Sequence, residues 1–227
     1  MKRISLFFLL MGSLFACRSA SSDPLETGTG TGISYLALGD SYTIGESVDE
    51  ADRYPNQLME LLKKKGVSSG AVKIVARTGW TTSELKSGIA TAGVEGQQFD
   101  LVSLLIGVNN EFRGQSLETF KTEFKALLVQ AIGFAGGNKA HVFVVSIPDY
   151  GYTPYGKDRQ PSISPRIDQF NAAALAIANE LDVKFIDITP ISRKALSDPS
   201  LVAGDGLHPS GKQYRQWAEL IAKEISD

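Results

Sequence analysis

One cysteine, Cys17, rules out any intramolecular disulfide in this chain of 227 residues. The only histidines, His141 and His208, lie far apart and form no Cys/His cluster that could hold a metal, and no glycine-rich phosphate loop is present. No cofactor is therefore expected. Acidic and basic side chains nearly cancel, giving a formal net charge of −2, and no basic tail or patch recommends a nucleic acid partner. The apolar run Ile4 to Phe15 falls short of the ~20 residues of an ordinary membrane span. A G-x-S-x-G elbow is also missing around Ser41, where the flanking glycines are Gly39 and Gly45, and this argues against the α/β-hydrolase fold.

What is present suits a compact α/β enzyme. With 43% hydrophobic residues the chain can bury a substantial core. Apolar, strand-like runs at 33–38, 72–76, 100–106, 142–147 and 183–188 alternate with helix-like stretches near 51–65, 82–90, 116–135, 165–181 and 211–225. Such alternation predicts a parallel sheet with helices on both faces, a three-layer αβα sandwich. No internal repeat or second domain is visible.

Two short segments carry the chemistry. Ser41 follows the buried-strand pattern Ile33 to Leu38 and the strand-ending Gly39, so it falls at the carboxyl end of a sheet, where open α/β folds place their ligands. Asp40 and Ser41 are also ordinary helix-capping residues, and a cap alone would explain them. The second segment, Gly204 to Gly211, is rich in turn formers and holds Asp205 three residues before His208. A serine hydroxyl becomes a useful nucleophile when an imidazole takes its proton and a carboxylate fixes the imidazole tautomer. Ser41, His208 and Asp205 supply one candidate for each role. His141 begins the apolar run Val142 to Val145 and reads as a structural residue at the start of a strand.

Gly39-Asp40-Ser41-Tyr42-Thr43-Ile44-Gly45 resembles the first block of the SGNH, or GDSL, esterases and lipases. The other blocks follow in order: Gly79 within Val75 to Trp80, then Gly107-Val108-Asn109, then Asp205 and His208. The resemblance implies five parallel strands in a flavodoxin-like order. It also implies an acyl-enzyme mechanism, with an oxyanion hole built from the backbone amides of Ser41 and Gly79 and the side-chain amide of Asn109. One position departs from the pattern: the third block commonly continues with aspartate, and here it is Asn110, which bears on what supports the Asn109 loop.

The N terminus carries its own signals. Lys2 and Arg3 precede the short apolar run, as in a secretory signal peptide, expected over residues 1–16. Leu14-Phe15-Ala16-Cys17 resembles the lipobox of bacterial lipoproteins, which implies lipidation of Cys17 and a membrane-anchored, exported protein. A plain signal peptide with an incidental cysteine is the alternative, and it also implies export. Residues 17–32, rich in Ser, Thr and Gly, are expected to form a flexible tether, with the hydrolase domain spanning 33–227. The expected substrate is a small acyl ester, a lipid ester or an acetylated glycan. The tyrosines of Pro148 to Gly156 are candidates to line or cover the crevice, and Trp80 and Phe112 to contact substrate, though loop packing explains all of them equally well. A different class of reading is a surface lipoprotein that keeps the fold and binds a glycan or a partner; intact candidates for every step of ester cleavage count against it. Sequence leaves the oligomeric state open.

Overall fold

The run ISYLALG forms β1 (Ile33–Gly39), apolar enough to be buried on both faces. In the computed structural model, which describes residues 32–226, β1 is flanked by β2 (Ser69–Ala76) and β3 (Leu101–Leu105), and the sheet continues through β4 (Val142–Val145) to β5 (Lys184–Ile186). The strand order is β2-β1-β3-β4-β5 and every pairing is parallel. This is the flavodoxin-like arrangement expected above. Strands β3 and β4 are wholly buried, whereas the edge strand β2 alternates between exposed and part-buried positions as far as buried Val75, as a sheet covered on both faces and open at its edge requires. The signal peptide, Cys17 and all of the tether except Gly32 lie outside the described residues.

Eight α-helices accompany the sheet among the described residues: α1 (Ser41–Ile44), α2 (Tyr54–Lys64), α3 (Thr82–Thr91), α4 (Val108–Phe112), α5 (Leu117–Phe134), α6 (Gln160–Glu180), α7 (Thr189–Ser192) and α8 (Gly211–Glu224). Helices α2 and α8 pack on each other on one face of the sheet, and α5 packs between α3 and α6 on the other. The α2–α8 face is sealed by fully buried Tyr54, Tyr214 and Trp217, with the Tyr214 and Trp217 rings edge to face at 5.1 Å. Buried Tyr35 and Tyr54 aim their hydroxyls at Ser103 Oγ, at 2.7 and 3.2 Å, which satisfies polar groups that would otherwise cost stability inside the core.

Two helix starts differ from expectation. Helix α6 begins at Gln160 rather than near 165, because Pro161 occupies the first turn, where its missing N–H has no intrahelical partner to lose; Pro165 lies inside the helix. Residues 51–53 are not part of α2. Glu50–Asp52 form a separate 3₁₀ turn, and Pro55 sets the first turn of the helix proper.

Chain direction now fixes where a site can form. From β1 the chain crosses to β2 on one side, then returns to place β3 on the other, so the carboxyl ends of β1 and β3 flank the switch point of the sheet. Asp40 and Ser41 leave one of those ends, and Gly107 to Asn110 leave the other.

Candidate active site

Asp40 and Ser41 take different places at the start of α1. Asp40 is the N-cap of α1, its Oδ1 accepting the Tyr42 N–H at 3.0 Å, and Ser41 is the first helical residue. The turn is tight: a Cβ on Gly39 would lie 2.0 Å from Thr43 Oγ1 and 2.5 Å from the Leu105 carbonyl, so only glycine fits there. Ser41 opens a helix, so its backbone N–H has no intrahelical partner, and it has none among the described residues.

Asp205 and His208 are joined as the D-x-x-H spacing suggests. Asp205 Oδ1 accepts the backbone N–H groups of Leu207 and His208, both at 2.9 Å, which curls the loop so that Oδ2 meets His208 Nδ1 at 2.6 Å. Burial alone would raise the Asp205 carboxyl. The His208 ring, the two amides and the Ser47 hydroxyl outweigh it and hold the group well below the usual carboxylate range. An ionised Asp205 requires Nδ1 to carry the proton, which leaves Nε2 as the acceptor. The loop is anchored by Ala203 N–H to the His208 carbonyl at 2.8 Å and by Ser210, which caps α8 through Gln213 N–H.

The Tyr42 side chain, next in sequence to Ser41, packs against the imidazole with ring centroids 5.1 Å apart, which brings the start of α1 up to the His208 loop. No direct hydrogen bond joins Ser41 to His208 among the described residues; such contacts are commonly loose before substrate binds.

Gly79 adopts φ +82°, a conformation costly for any residue with a Cβ, and its carbonyl accepts from the Arg113 guanidinium. Its own N–H has no partner among the described residues. Asn109 Nδ2 donates to the Trp80 carbonyl at 3.0 Å and, at the long limit, to Asp40 Oδ2 at 3.4 Å. Asp40 was not singled out from sequence beyond capping. It is fully buried, and loss of solvent raises its carboxyl to about 7, with the Tyr42 N–H and the Asn109 amide pulling the other way.

Asn110 has a clear structural role. Its Oδ1 accepts Thr82 N–H at 3.1 Å, and its Nδ2 donates to Thr82 Oγ1 at 2.6 Å and to Gln115 Oε1 at 2.8 Å. An amide can do both; a carboxylate could not donate to Gln115 Oε1. The Asn109 loop is thereby tied to the start of α3, next to Trp80. Beside it, buried Glu111 accepts the Tyr150 hydroxyl and Arg166 Nε, each at 2.8 Å.

Loop packing accounts for most of the aromatics that sequence offered as substrate contacts. Tyr150 is buried against Glu111, Tyr152 lies beneath Arg193 at 5.8 Å, and Trp80 rests on Gly88 of α3. Tyr155 and Phe112 are half exposed. His141 sits just before β4, at the opposite end of the sheet from the crevice. Among the described residues no group of three or more His, Cys, Asp or Glu side chains is placed to hold a metal ion.

The sequence profile of the GDSL-like lipase/acylhydrolase family matches residues 37–216. A search of curated protein sequences returns no match. Among solved structures, a lipase/acylhydrolase from Enterococcus faecalis is 22% identical with a TM-score of 0.64, covering 86% of this chain and 95% of that one. An acetylxylan esterase from Geobacillus stearothermophilus is 21% identical with a TM-score of 0.66, covering 87% and 96%. A psychrotrophic esterase from a Pseudoalteromonas species is 16% identical with a TM-score of 0.64, covering 85% and 96%.

Proposed function

Because the chain belongs to the GDSL-like lipase/acylhydrolase family, and is in that sense a hydrolase of ester bonds, we propose that it cleaves carboxylic esters through a seryl acyl-enzyme at Ser41. The observation that supports this reading is the Asp205–His208 pair, whose Oδ2–Nδ1 bond makes Nε2 the acceptor of a ring packed on Tyr42, the neighbour of Ser41. In the forward step His208 Nε2 takes the Ser41 proton as Oγ bonds to the ester carbon, and the carbonyl π pair moves onto oxygen. That oxyanion is met by the N–H groups of Ser41 and Gly79 and by Asn109 Nδ2, which exchanges its long 3.4 Å contact with Asp40 Oδ2 for the oxyanion and keeps its bond to the Trp80 carbonyl. Collapse breaks the ester C–O bond, and the departing alkoxide takes the proton from His208. Water, deprotonated by the same ring, then attacks the acyl-enzyme, releases the carboxylic acid and restores Ser41.

The acyl and alcohol portions remain open between a small acyl ester, a lipid ester and an acetylated glycan. Hydrolysis of a chromogenic acetate-to-decanoate series, alongside acetylated oligosaccharides and phospholipids, tests the reading. Turnover that disappears in Ser41→Ala supports it, and parent-like turnover in that variant overturns it. Export and anchoring through a lipidated Cys17 complete the proposal, supported by Lys2, Arg3, the apolar run after them and the lipobox-like Leu14 to Cys17. More than one acyl chain gives stable anchoring, so radiolabelled fatty acid should enter the full chain and its Cys17→Ser variant should leave the membrane fraction.

A further inference from the structure

We propose that Ser47 is a positioning residue for the catalytic pair, setting the acid limit of activity through Asp205; this rests on the ester hydrolase reading above. Ser47 Oγ donates to Asp205 Oδ2 at 2.7 Å, the same oxygen that holds His208 Nδ1 at 2.6 Å. The two residues are 158 positions apart, and the bond fastens the turn that leaves α1 to the loop that carries the imidazole. Ser47 adopts φ +65°, one of two residues other than glycine with positive φ among the described residues. That region is disfavoured for a residue with a Cβ, and such conformations persist where surrounding contacts over-determine them. The turn is fixed from both sides, by Glu46 N–H to the Ser41 carbonyl at 3.0 Å and by Val48 N–H to the Gly45 carbonyl at 3.3 Å. Glycine would fit the backbone better; serine is there at a conformational cost, with its hydroxyl on the carboxylate.

A donor on Oδ2 withdraws part of the negative charge that would otherwise favour imidazolium at His208. Without it, the two amides on Oδ1 still keep the carboxylate beside the ring, and the ring holds its proton to higher pH. The other titratable groups facing the pair are Asp40, Tyr42, Tyr214 and Asp149, the last ion-paired to Arg193. Glu46, Asp49, Asp52 and Arg53 flank the Ser47 turn. Substitution at Ser47 changes none of them.

Ser47→Gly and Ser47→Ala separate the hydroxyl from the backbone. Only two histidines are present, so ¹⁵N NMR titration follows the His208 ring directly, with His141 as internal reference. The expected result in both variants is a His208 midpoint raised by about 0.5 pH unit, with the acid limb of kcat/KM displaced equally, so that activity on that limb falls about threefold while the alkaline plateau and KM stay within twofold. A turn residue without this role would leave Ser47→Gly parent-like, so an unmoved midpoint overturns the proposal, as does an unmoved acid limb in a parent that turns over esters. A parent without ester turnover whose midpoint nonetheless rises in Ser47→Gly overturns the functional reading and leaves the contact between Ser47 and the pair standing.

Discussion

Asp205 and His208, three positions apart, are bonded twice: Oδ1 to the His208 backbone N–H at 2.9 Å and Oδ2 to the ring Nδ1 at 2.6 Å. The first bond shapes the loop and the second sets the tautomer. One side chain therefore both shapes the loop and fixes the ring tautomer that the proposed general base needs.

Asp205→Asn separates these functions. Its Oδ1 can still accept the Leu207 and His208 amides, so the loop should stay folded. Its amide turned toward Nδ1 favours the tautomer with the proton on Nε2, which cannot accept from Ser41. We predict a loss in kcat of ~10²–10⁴-fold with little change in KM or melting temperature, measured by steady-state kinetics and calorimetry. His208→Ala should cost at least as much.

The pH profile follows from the same pair. Only neutral imidazole accepts the serine proton, so kcat/KM should fall as pH drops through the His208 titration. Asp205 lies well below the usual carboxylate range, so it should add no limb above the ordinary value of ~3.9. Its contribution to stability is present above that value and is lost as pH falls further toward its folded-state titration. A rate flat from pH 5 to 8 in folded protein would contradict the assignment.

Under the proposed mechanism, Asn109→Ala removes the side-chain donor to the oxyanion and leaves the two backbone donors untouched. The expected cost is ~10²–10³-fold in kcat, or ~2.7–4 kcal/mol of transition-state stabilisation, with residual activity above background. A parent-like kcat would remove Asn109 from the mechanism.

Asp40 makes a prediction about stability. Its folded-state value of about 7 is raised by burial, so between pH 4 and 7 the native state holds a proton that the unfolded chain has released. Its contribution is thus full at low pH and is lost as pH rises to 7, with a slope of at most ~1.4 kcal/mol per pH unit. Asp40→Asn keeps an acceptor for the Tyr42 cap, so urea unfolding from pH 4 to 8 should show this slope in the parent and its absence in the variant. Equal slopes would contradict it.

Strands β1, β3 and β4 were legible as nearly continuous buried runs, and β2 and β5 as apolar runs at the sheet's edges, while Asp205 and His208 were legible as a pair from their D-x-x-H spacing. Helix α6 was misjudged at its start because Pro165 resembles a helix boundary, while the true first turn holds Pro161. Helices α1, α4 and α7, at four or five residues, are too short to show a period. Contacts across long separations left no local trace: Ser47 to Asp205, Asp40 to Asn109, and Arg113 to the Gly79 carbonyl. Asn110 looked like a departure from pattern, and only its partners Thr82 and Gln115 reveal why an amide belongs there.

The central claim is that Ser41 Oγ is the atom that attacks. Treating the purified domain with an alkyl fluorophosphonate at pH 8 tests it directly, because displacement of fluoride leaves a stable serine–phosphorus bond shaped like the tetrahedral intermediate. Intact mass and peptide mapping should find a single adduct on Ser41, formed in step with loss of ester hydrolysis and absent from Ser41→Ala. Complete inactivation with the adduct on another residue, or a fully active enzyme carrying the adduct at Ser41, would contradict the account.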